Sequence, residues 1–409
     1  MASFDINICK DNNSGTVIYN TLTREFRIEP LASFYKIPLT QDDIDCFREV
    51  YVNNIQSDPQ TVTILPTTNC NARCWYCYEH GISHCDMTIE TAELAVGFIR
   101  EKYTKPELTI NWFGGEPLLC FDIIRYITTK LKESGYRLST CVTTNGSLLN
   151  EQMIEFFKEH YDKVTANITI DGIKEDYANV KRYINIPKEK AFDTVMRNIR
   201  LLIENNIFVL LRINYSDYGR AKSVYKYLAD ELGPFDKPRY HIYYAPIWQK
   251  NCNLENAEEE ALKTIALLGN DIDINVLANP FLDNILVNSI ANPKRLGHCT
   301  ALSRNKMVIN ADGRLYRCHS MACDDKYACG DLNSGIDTSA LGYEIFEREH
   351  EKECGGCAFL PLCSTQCRVR SELYGEETIC QNTKKIVPKI AKMKYIKRRC
   401  LQPVSGGNN

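Results

Sequence analysis

The sequence predicts an α/β protein with a parallel sheet at its centre, a small module before it and a cysteine-rich segment after it. Three observations lead there. Between Thr61 and about residue 270, six short β-prone runs alternate with six longer helix-like segments. Before Thr61 the pattern is shorter and mixed. After about residue 298 the alternation ends, and cysteine and glycine become frequent.

Residues 1–60 hold two β-prone runs, Thr16–Tyr19 and Glu25–Ile28, and one helical stretch, Gln41–Tyr51, which starts behind Thr40 in an N-capping position. They read as a separate small α+β module. The strands expected next are 61–66, 108–113, 138–145, 164–171, 207–214 and 239–245, rich in β-branched and aromatic residues. Helices are expected near 88–103, 120–134, 150–160, 191–206, 218–232 and 254–269, on apolar residues three and four apart, as with Leu94, Phe98 and Ile99. Six strand-then-helix units predict a parallel sheet. Right-handed crossovers let such a series curl into a barrel or stay an open doubly wound sheet, and periodicity does not choose between them.

The chain has 409 residues and a formal net charge of -3, from 49 Lys and Arg against 52 Asp and Glu. That balance gives no electrostatic case for nucleic acid or an anionic membrane as partner. The short basic run Lys394–Arg399 reads as a solvated helix face. No uncharged apolar stretch reaches the roughly 18 residues a membrane span needs. The start MASFDINICK has neither a basic region nor an apolar signal core, so a cytoplasmic protein is expected. Nineteen cysteines without an export signal point away from a disulfide scaffold and towards metal binding. The tail Pro403–Asn409 is expected to be disordered.

The first cysteine cluster lies in TTNCNARCWYCYE, Thr67–Glu79, directly after the first strand. In a parallel α/β array this loop falls at the carboxyl ends of the strands, where sites gather. Cys70, Cys74 and Cys77 are spaced CxxxCxxC. Three thiolates leave one iron of a [4Fe–4S] cubane without a protein ligand, whereas structural zinc takes four closed ligands. A zinc knuckle or a chance grouping of core thiols is the plainer alternative. Further motifs end the next strands: GGEP at Gly114–Pro117, TTNG at Thr143–Gly146, and Thr169-Ile170-Asp171-Gly172. Paired glycines let backbone approach a ligand closely.

Four motifs in this order, each ending a strand, resemble the radical S-adenosylmethionine (SAM) superfamily. The resemblance implies a partial (β/α)6 TIM-like barrel. It implies that Cys70, Cys74 and Cys77 ligate a cluster whose free iron chelates SAM. One electron then cleaves the sulfonium bond, and a 5′-deoxyadenosyl radical abstracts hydrogen from the substrate. By position in the family, Tyr76 lies at the adenine. Gly114, Gly115, Glu116 and Pro117 lie at the SAM amino group, and Thr144, Asn145, Thr169 and Asp171 contact the cofactor, with the Thr169 hydroxyl near the ribose. Arg212, in LRINY at the fifth strand's end, matches a further polar position, although structural pairing is an equal reading.

The second constellation runs Cys299, Gly313, Cys318, then Cys354, Cys357, Cys363, Cys367 and finally Cys380. It resembles the seven-cysteine SPASM domain, with a shorter last gap that makes Cys380 the loosest match. The family's pairing implies one auxiliary [4Fe–4S] cluster on Cys354, Cys357, Cys363 and Cys380. It implies a second on Cys299, Cys318 and Cys367, giving three [4Fe–4S] clusters in all. The fourth ligand of that second cluster is open to substrate, or is His298, Cys252, Cys323 or Cys329. A zinc-ribbon-like domain is the plainer alternative. The expected division is a 1–60 module, a 61–270 barrel, a 271–298 bridge, a 299–385 SPASM domain and a 386–409 helix and tail.

Members of this architecture act mostly on ribosomally made peptides or on proteins. The first expectation is therefore a maturase that installs a crosslink, an epimerisation or a related oxidation in a precursor peptide. Its N-terminal module would grip the leader segment, and a ferredoxin or flavodoxin would supply electrons. The second is an anaerobic sulfatase-maturating enzyme that forms formylglycine. The third is a non-catalytic iron–sulfur electron-transfer protein. Sulfatase maturases typically carry Asp after the cysteine of the G-x4-C element; here that residue is His319, read as a catalytic base or as a structural histidine.

Overall fold

The computed structural model describes residues 4–11, 15–23, 25–29, 57–77, 79, 83–215, 218–233, 239–247, 299–337 and 357–363, with isolated positions between 40 and 56 and between 375 and 395. The helix expected at 254–269, the 271–298 bridge, the tail, and Cys252, His298, Cys354 and Cys367 lie outside the described residues, as does the side chain of Cys363. The chain divides into two compact units. One contains Asp58–Gln249 and Thr300–Gly342. The other takes its described residues from Met1–Ser57, from Cys299 and from beyond Tyr343.

In the second of these units, β1 (Asp5–Asp11), β2 (Gly15–Asn20) and β3 (Phe26–Glu29) form an antiparallel sheet in chain order. Val17, Ile18 and Tyr19 are all buried, so both sides of β2 are covered, and Arg27 pairs with Asp5 at 2.6 Å. Beyond it, Asp42, Asp45, Cys46 and Glu49 are helical, in the stretch where the sequence predicts a helix. The buried Thr21 hydroxyl donates to the carbonyl of Ala358, which ties the turn after β2 to the segment around Cys357.

The larger unit is built on β4 (Thr61–Ile64), β5 (Glu107–Trp112), β6 (Arg137–Thr144), β7 (Lys163–Thr169), β8 (Phe208–Tyr215) and β9 (Tyr240–Pro246). Each is parallel to the next, so the β-then-α reading holds from β4 to β9. The crossovers carry α1 (Ile89–Lys102), α2 (Phe121–Glu133), α3 (Glu151–His160), the short α4 (Glu175–Lys181) followed by α5 (Lys188–Glu204), and α6 (Tyr218–Leu232). Helix starts follow local chemistry. Thr88 accepts from the Thr91 amide and Asn150 from the Met153 amide, satisfying first-turn donors of α1 and α3.

Successive strand residues face opposite sides of a sheet, and here the two sides differ in chemistry. Ile64, Trp112, Val142, Ile168, Leu211 and Ile242 belong to a buried apolar side. The registers Thr63–Asn111–Cys141–Thr165 and Thr169–Arg212–Tyr243 lie on the other side, which is polar and only half-buried. This polar side faces the site.

Four strands that the sequence reading did not anticipate extend the sheet beyond β4. β10 (Lys306–Ile309) runs parallel to β4 with Lys306 opposite Thr61, and β11 (Arg314–Tyr316), β12 (Ala328–Asp331) and β13 (Gly335–Ile336) follow antiparallel. The segment that the sequence analysis joins to the SPASM domain thus continues, from Thr300 to Gly342, in the same compact unit as the barrel sheet. Gly313 takes a φ of 86° in the β10–β11 turn, a conformation that side chains resist. Buried Arg317 then donates to the carbonyls of Ala301, Ser303 and Lys306, fixing the chain just before Cys318.

Tyr161 anchors the far end of β5. Its hydroxyl accepts from Trp112 Nε1 at 3.0 Å and shares a hydrogen bond with Thr128 at 2.6 Å, all three side chains being buried. Tyr161→Phe leaves the indole N–H without its acceptor, and the expected loss is about 1–3 kcal/mol of unfolding free energy in denaturant titration. A variant as stable as the parent would show that Trp112 finds another partner.

Candidate active site

The site begins with two stretches of backbone in contact. After β5 the chain turns through Gly114, with φ 117°, and Gly115. A Cβ on Gly114 would stand 2.2 Å from the Thr67 carbonyl oxygen, and one on Gly115 would stand 2.3 Å from that of Asn69. No other residue fits. The Gly115 and Glu116 amides donate to those same carbonyls at 3.2 and 2.8 Å, clamping the chain immediately before Cys70. Pro117 follows as the first residue of a short 3-10 turn, Pro117–Cys120.

Glu116 is fully buried, and its carboxylate accepts from the amides of Leu118 (3.2 Å) and Asn145 (2.8 Å) and from the Thr144 hydroxyl (2.8 Å). Three of a carboxylate's roughly four acceptor positions therefore serve the protein's own donors. Burial pushes its pKa up to about 7, against the pull of these hydrogen bonds and of Lys181. Asn145 continues the chain of contacts. Its amide group donates to Asn71 Oδ1 at 2.7 Å and lies 4.0 Å from the Cys70 sulfur. Asn71 in turn donates to Ser147 and Asn185 at 3.0 and 3.1 Å. The GGEP and TTNG motifs thus meet at the cysteine loop.

The other side of that loop is held by a residue the sequence reading missed. Lys181, at the end of α4, is 2 % exposed and forms an ion pair of 2.6 Å with Asp171. It also donates to the hydroxyl oxygens of Thr169 (2.6 Å) and Tyr76 (3.1 Å). Tyr76 donates to Asp171 and accepts from Asn214 at 3.1 Å. Burial alone would pull the Lys181 ammonium down, but the Asp171 carboxylate holds it well above the ordinary lysine value. The Lys181 carbonyl accepts from the Arg73 amide at 2.9 Å and lies 3.9 Å from the Cys74 sulfur. Tyr76, Thr169 and Asp171, placed together by sequence, are joined through this one ammonium. Its only signal was position: it shares the buried face of α4 with Tyr177 and Ala178.

Whether the cysteine loop suits an iron–sulfur cluster can be judged from its thiols. Burial drives Cys70 up to about 12 and Cys77 up to about 11, so their thiolates need a cation. Among the described residues no three His, Cys, Asp or Glu groups converge as ligands of one metal ion would. A cubane asks instead for one thiolate on each of several irons. The loop fits that group.

On the polar side of the sheet, Phe113 packs against His319 with ring centroids 4.6 Å apart and planes tilted by 52°. Phe113 itself packs against a small core of Leu65, Val308, Tyr316 and Ala322, which seats the turn after Cys318 beside the ends of β4 and β5. Burial, and secondarily the charge of Arg212, pulls the His319 imidazole down to about 4. The structure thus brings His319 and Arg212 to one place. Of the other cysteines expected as ligands, Cys299 and Cys318 are buried, and Cys357 and Cys380 are half-buried. Cys329 points its thiol at the Leu315 carbonyl at 3.4 Å, and the Cys323 thiol lies 3.7 Å from Asn310 Oδ1.

Residues 64–216 match the Radical SAM superfamily. The chain is 30 % identical over 342 residues to a serine-type anaerobic sulfatase-maturating enzyme of Bacteroides thetaiotaomicron, covering 73 % of this chain and 80 % of that protein. The chain belongs to the radical SAM superfamily. A cysteine-type anaerobic sulfatase-maturating enzyme of Clostridium novyi is 24 % identical over 370 residues, covering 81 % of this radical SAM chain and 95 % of the relative. In fold, the chain resembles anSMEcpe with bound AdoMet and Kp18Cys peptide, with a TM-score of 0.62, 19 % identity, and coverage of 84 % of this chain and 100 % of that one. It also resembles Streptococcus suis SuiB bound to the precursor peptide SuiA, with a TM-score of 0.56, 16 % identity, and coverage of 87 % and 84 %. The parallel sheet is accordingly that of the radical SAM TIM-like barrel. No described helix is long and apolar enough to cross a membrane.

Two measurements check the two clamps of this radical SAM site. Folding raises the Glu116 pKa from 4.5 to about 7, so the folded chain holds that proton more tightly than the unfolded one. The group's contribution to stability is therefore fullest below about pH 4.5 and is lost as pH rises to about 7. In Glu116→Gln, the fall of unfolding free energy between pH 5 and 7 should flatten; an unchanged slope would assign it to another group. For Lys181→Met, which strands Asp171 without its counter-charge, the expected loss is about 3–5 kcal/mol. A loss below about 1 kcal/mol would mean that Asp171 takes up water instead.

Proposed function

We propose that this radical SAM protein is a peptide-modifying enzyme: it removes hydrogen from a residue of a ribosomally made precursor peptide to install a crosslink, an epimerisation or a related oxidation. The observation that carries this reading is the meeting of His319 and Arg212 with the SAM-motif strand ends, on the polar side of the sheet. The likeness to SuiB, whose structure holds a precursor peptide, supports it.

Cys70, Cys74 and Cys77 would hold the [4Fe–4S] cluster, and Gly114, Gly115, Tyr76, Thr169, Asp171 and Lys181 would hold SAM. When bound, these groups supply a 5′-deoxyadenosyl radical that abstracts hydrogen. The chain's own part is positional. The glycine clamp fixes the cysteine loop against β5, the Lys181–Asp171 pair fixes its other side, and Phe113 packs against His319, which stays neutral and would accept a hydrogen bond from the substrate. Two auxiliary clusters on Cys299, Cys318, Cys354, Cys357, Cys363, Cys367 and Cys380, in a SPASM domain, belong to the same proposal. So do a ferredoxin or flavodoxin as donor, a leader-binding role for residues 1–60, and a cytoplasmic setting.

A second reading, formylglycine formation in a sulfatase, is favoured by the relatives at 24 % and 30 % identity. His319 in place of the usual Asp weighs against it. After anaerobic reconstitution the protein should carry about 12 iron atoms. Changing Cys70, Cys74 and Cys77 to Ala should remove about a third of them and all release of 5′-deoxyadenosine. Cleavage surviving in the triple variant would sink the assignment. Incubated with both substrates, the enzyme should leave a Cys/Ser-x-Pro-x-Arg sulfatase peptide unchanged. A precursor peptide from its own genome neighbourhood should lose two hydrogens or gain an epimerised residue. Efficient aldehyde formation on the sulfatase peptide would instead establish the second reading.

A further inference from the structure

We propose that the Arg212 guanidinium is the docking point for a carboxylate of the substrate, so that the peptide residue presented for hydrogen abstraction, or its immediate neighbour, is acidic. This rests on the peptide-substrate reading and narrows it to a substrate class.

Arg212 lies near the carboxyl end of β8, on the polar side of the sheet, in register with Thr169 on β7 and Tyr243 on β9. Its Nε is buried and has no hydrogen-bond partner. Among the described residues none forms an ion pair with the guanidinium. Arg212 is half-buried, and its buried Nε is left without an acceptor, an arrangement that an anionic ligand reaching the open part of the guanidinium would complete.

The nearby carboxylates are committed elsewhere. Asp171 is paired with Lys181, and Glu116 accepts from Leu118, Thr144 and Asn145. Where a sulfatase-maturase pattern would put a carboxylate, after Cys318, this chain has the His319 imidazole, close enough for the Arg212 charge to act on its ring. The Tyr243 hydroxyl donates to Asn167 Oδ1 at 3.0 Å, and Arg212 Nε makes no hydrogen bond to it. The guanidinium is a planar, forked donor opposite Tyr243 in the sheet, and among the described residues no acid pairs with it. Guanidinium matches carboxylate with two parallel N–H···O bonds. Two carboxylates are chemically eligible, that of a substrate Asp, Glu or C-terminus and that of SAM. Lys181 spends its charge on Asp171 and competes for neither; the Arg212 charge acts on His319, which the proposed function sets against the substrate, and binding of SAM alone separates the two carboxylates.

The test is affinity selection of a randomised short-peptide library on reconstituted holoenzyme with SAM, for the wild type and for Arg212→Gln, Arg212→Lys and Arg212→Glu, alongside equilibrium binding of SAM alone. The wild type should enrich Asp or Glu over Asn or Gln at one position by about tenfold, as a charge-assisted pair requires. Arg212→Lys should retain part of that preference, which also shows that the cradle folds without arginine. Arg212→Gln should abolish it, and Arg212→Glu should turn it towards Lys and Arg. Equal recovery of acidic and neutral peptides by the wild type overturns the proposal, as does an acidic preference that survives in Arg212→Gln. If Arg212→Gln instead weakens SAM by a factor as large as the lost discrimination, the carboxylate is the cofactor's and the proposal falls. Release of 5′-deoxyadenosine by the wild type without peptide separates these results from failure of the radical SAM reading, which would abolish that release.

Discussion

The contact of Gly114 and Gly115 with the backbone of Thr67 to Asn69 is the constraint on which the rest of the site depends. At 2.2 and 2.3 Å from a virtual Cβ to a carbonyl oxygen, there is no room for any side chain, so the second strand's loop lies flush on the first strand's loop. Peptide groups that close exchange hydrogen bonds at fixed geometry, and the cysteine loop inherits that geometry. The rigid sheet behind it transmits the registration. Trp112, two residues before Gly114, is locked by Tyr161 and Thr128, so an interaction on the helix side sets the position of a loop on the site side.

A second tie is electrostatic and works differently. The Lys181–Asp171 pair is almost wholly removed from water, with side chains 2 % and 1 % exposed. Buried pairs of this kind add little net stability over an apolar replacement, but they fix partners in one arrangement. Here the ammonium has three oxygens within reach, and those oxygens belong to the cysteine loop, to β7 and to the loop after it. The same lysine's carbonyl bonds to the cysteine loop's backbone. One residue therefore joins elements that are distant in sequence, and it does so with both its main chain and its side chain.

Much of this architecture was legible in the sequence. The strand read at 138–145 is Arg137–Thr144, and the helix read at 218–232 is Tyr218–Leu232. Long periodic segments and strand-end motifs carry their own signal, and glycine pairs announce close backbone approach. Lys181 did not announce itself, because a lysine in YANVKRY looks like any solvated helix residue until α4 is seen to bury the face it shares with Tyr177. The strands β10 to β13 were hidden for another reason. Runs of two to four residues are too short to show a period, and the partner of β10 is the first barrel strand, far away in the chain.

The two sides of the sheet explain how one scaffold can serve different reactions. Apolar residues such as Ile64, Val142 and Leu211 hold the fold together and leave little freedom to change. The opposite side carries Thr63, Asn111, Thr165, Asn167 and Arg212, whose exchange alters hydrogen bonding and charge without disturbing that core. The variable chemistry therefore sits at the polar strand ends and in the turn after β11, which packs His319 beside them. In this chain the turn after β11 places an imidazole against Phe113, and β8 carries a guanidinium that pairs with no carboxylate among the described residues. Replacing a negative group by a neutral one next to a fixed cation changes the net charge of the cradle by one unit. On a half-buried surface such a unit acts through contact, at the distance of a direct charge-assisted hydrogen bond, and it is there that it discriminates among side chains of a peptide.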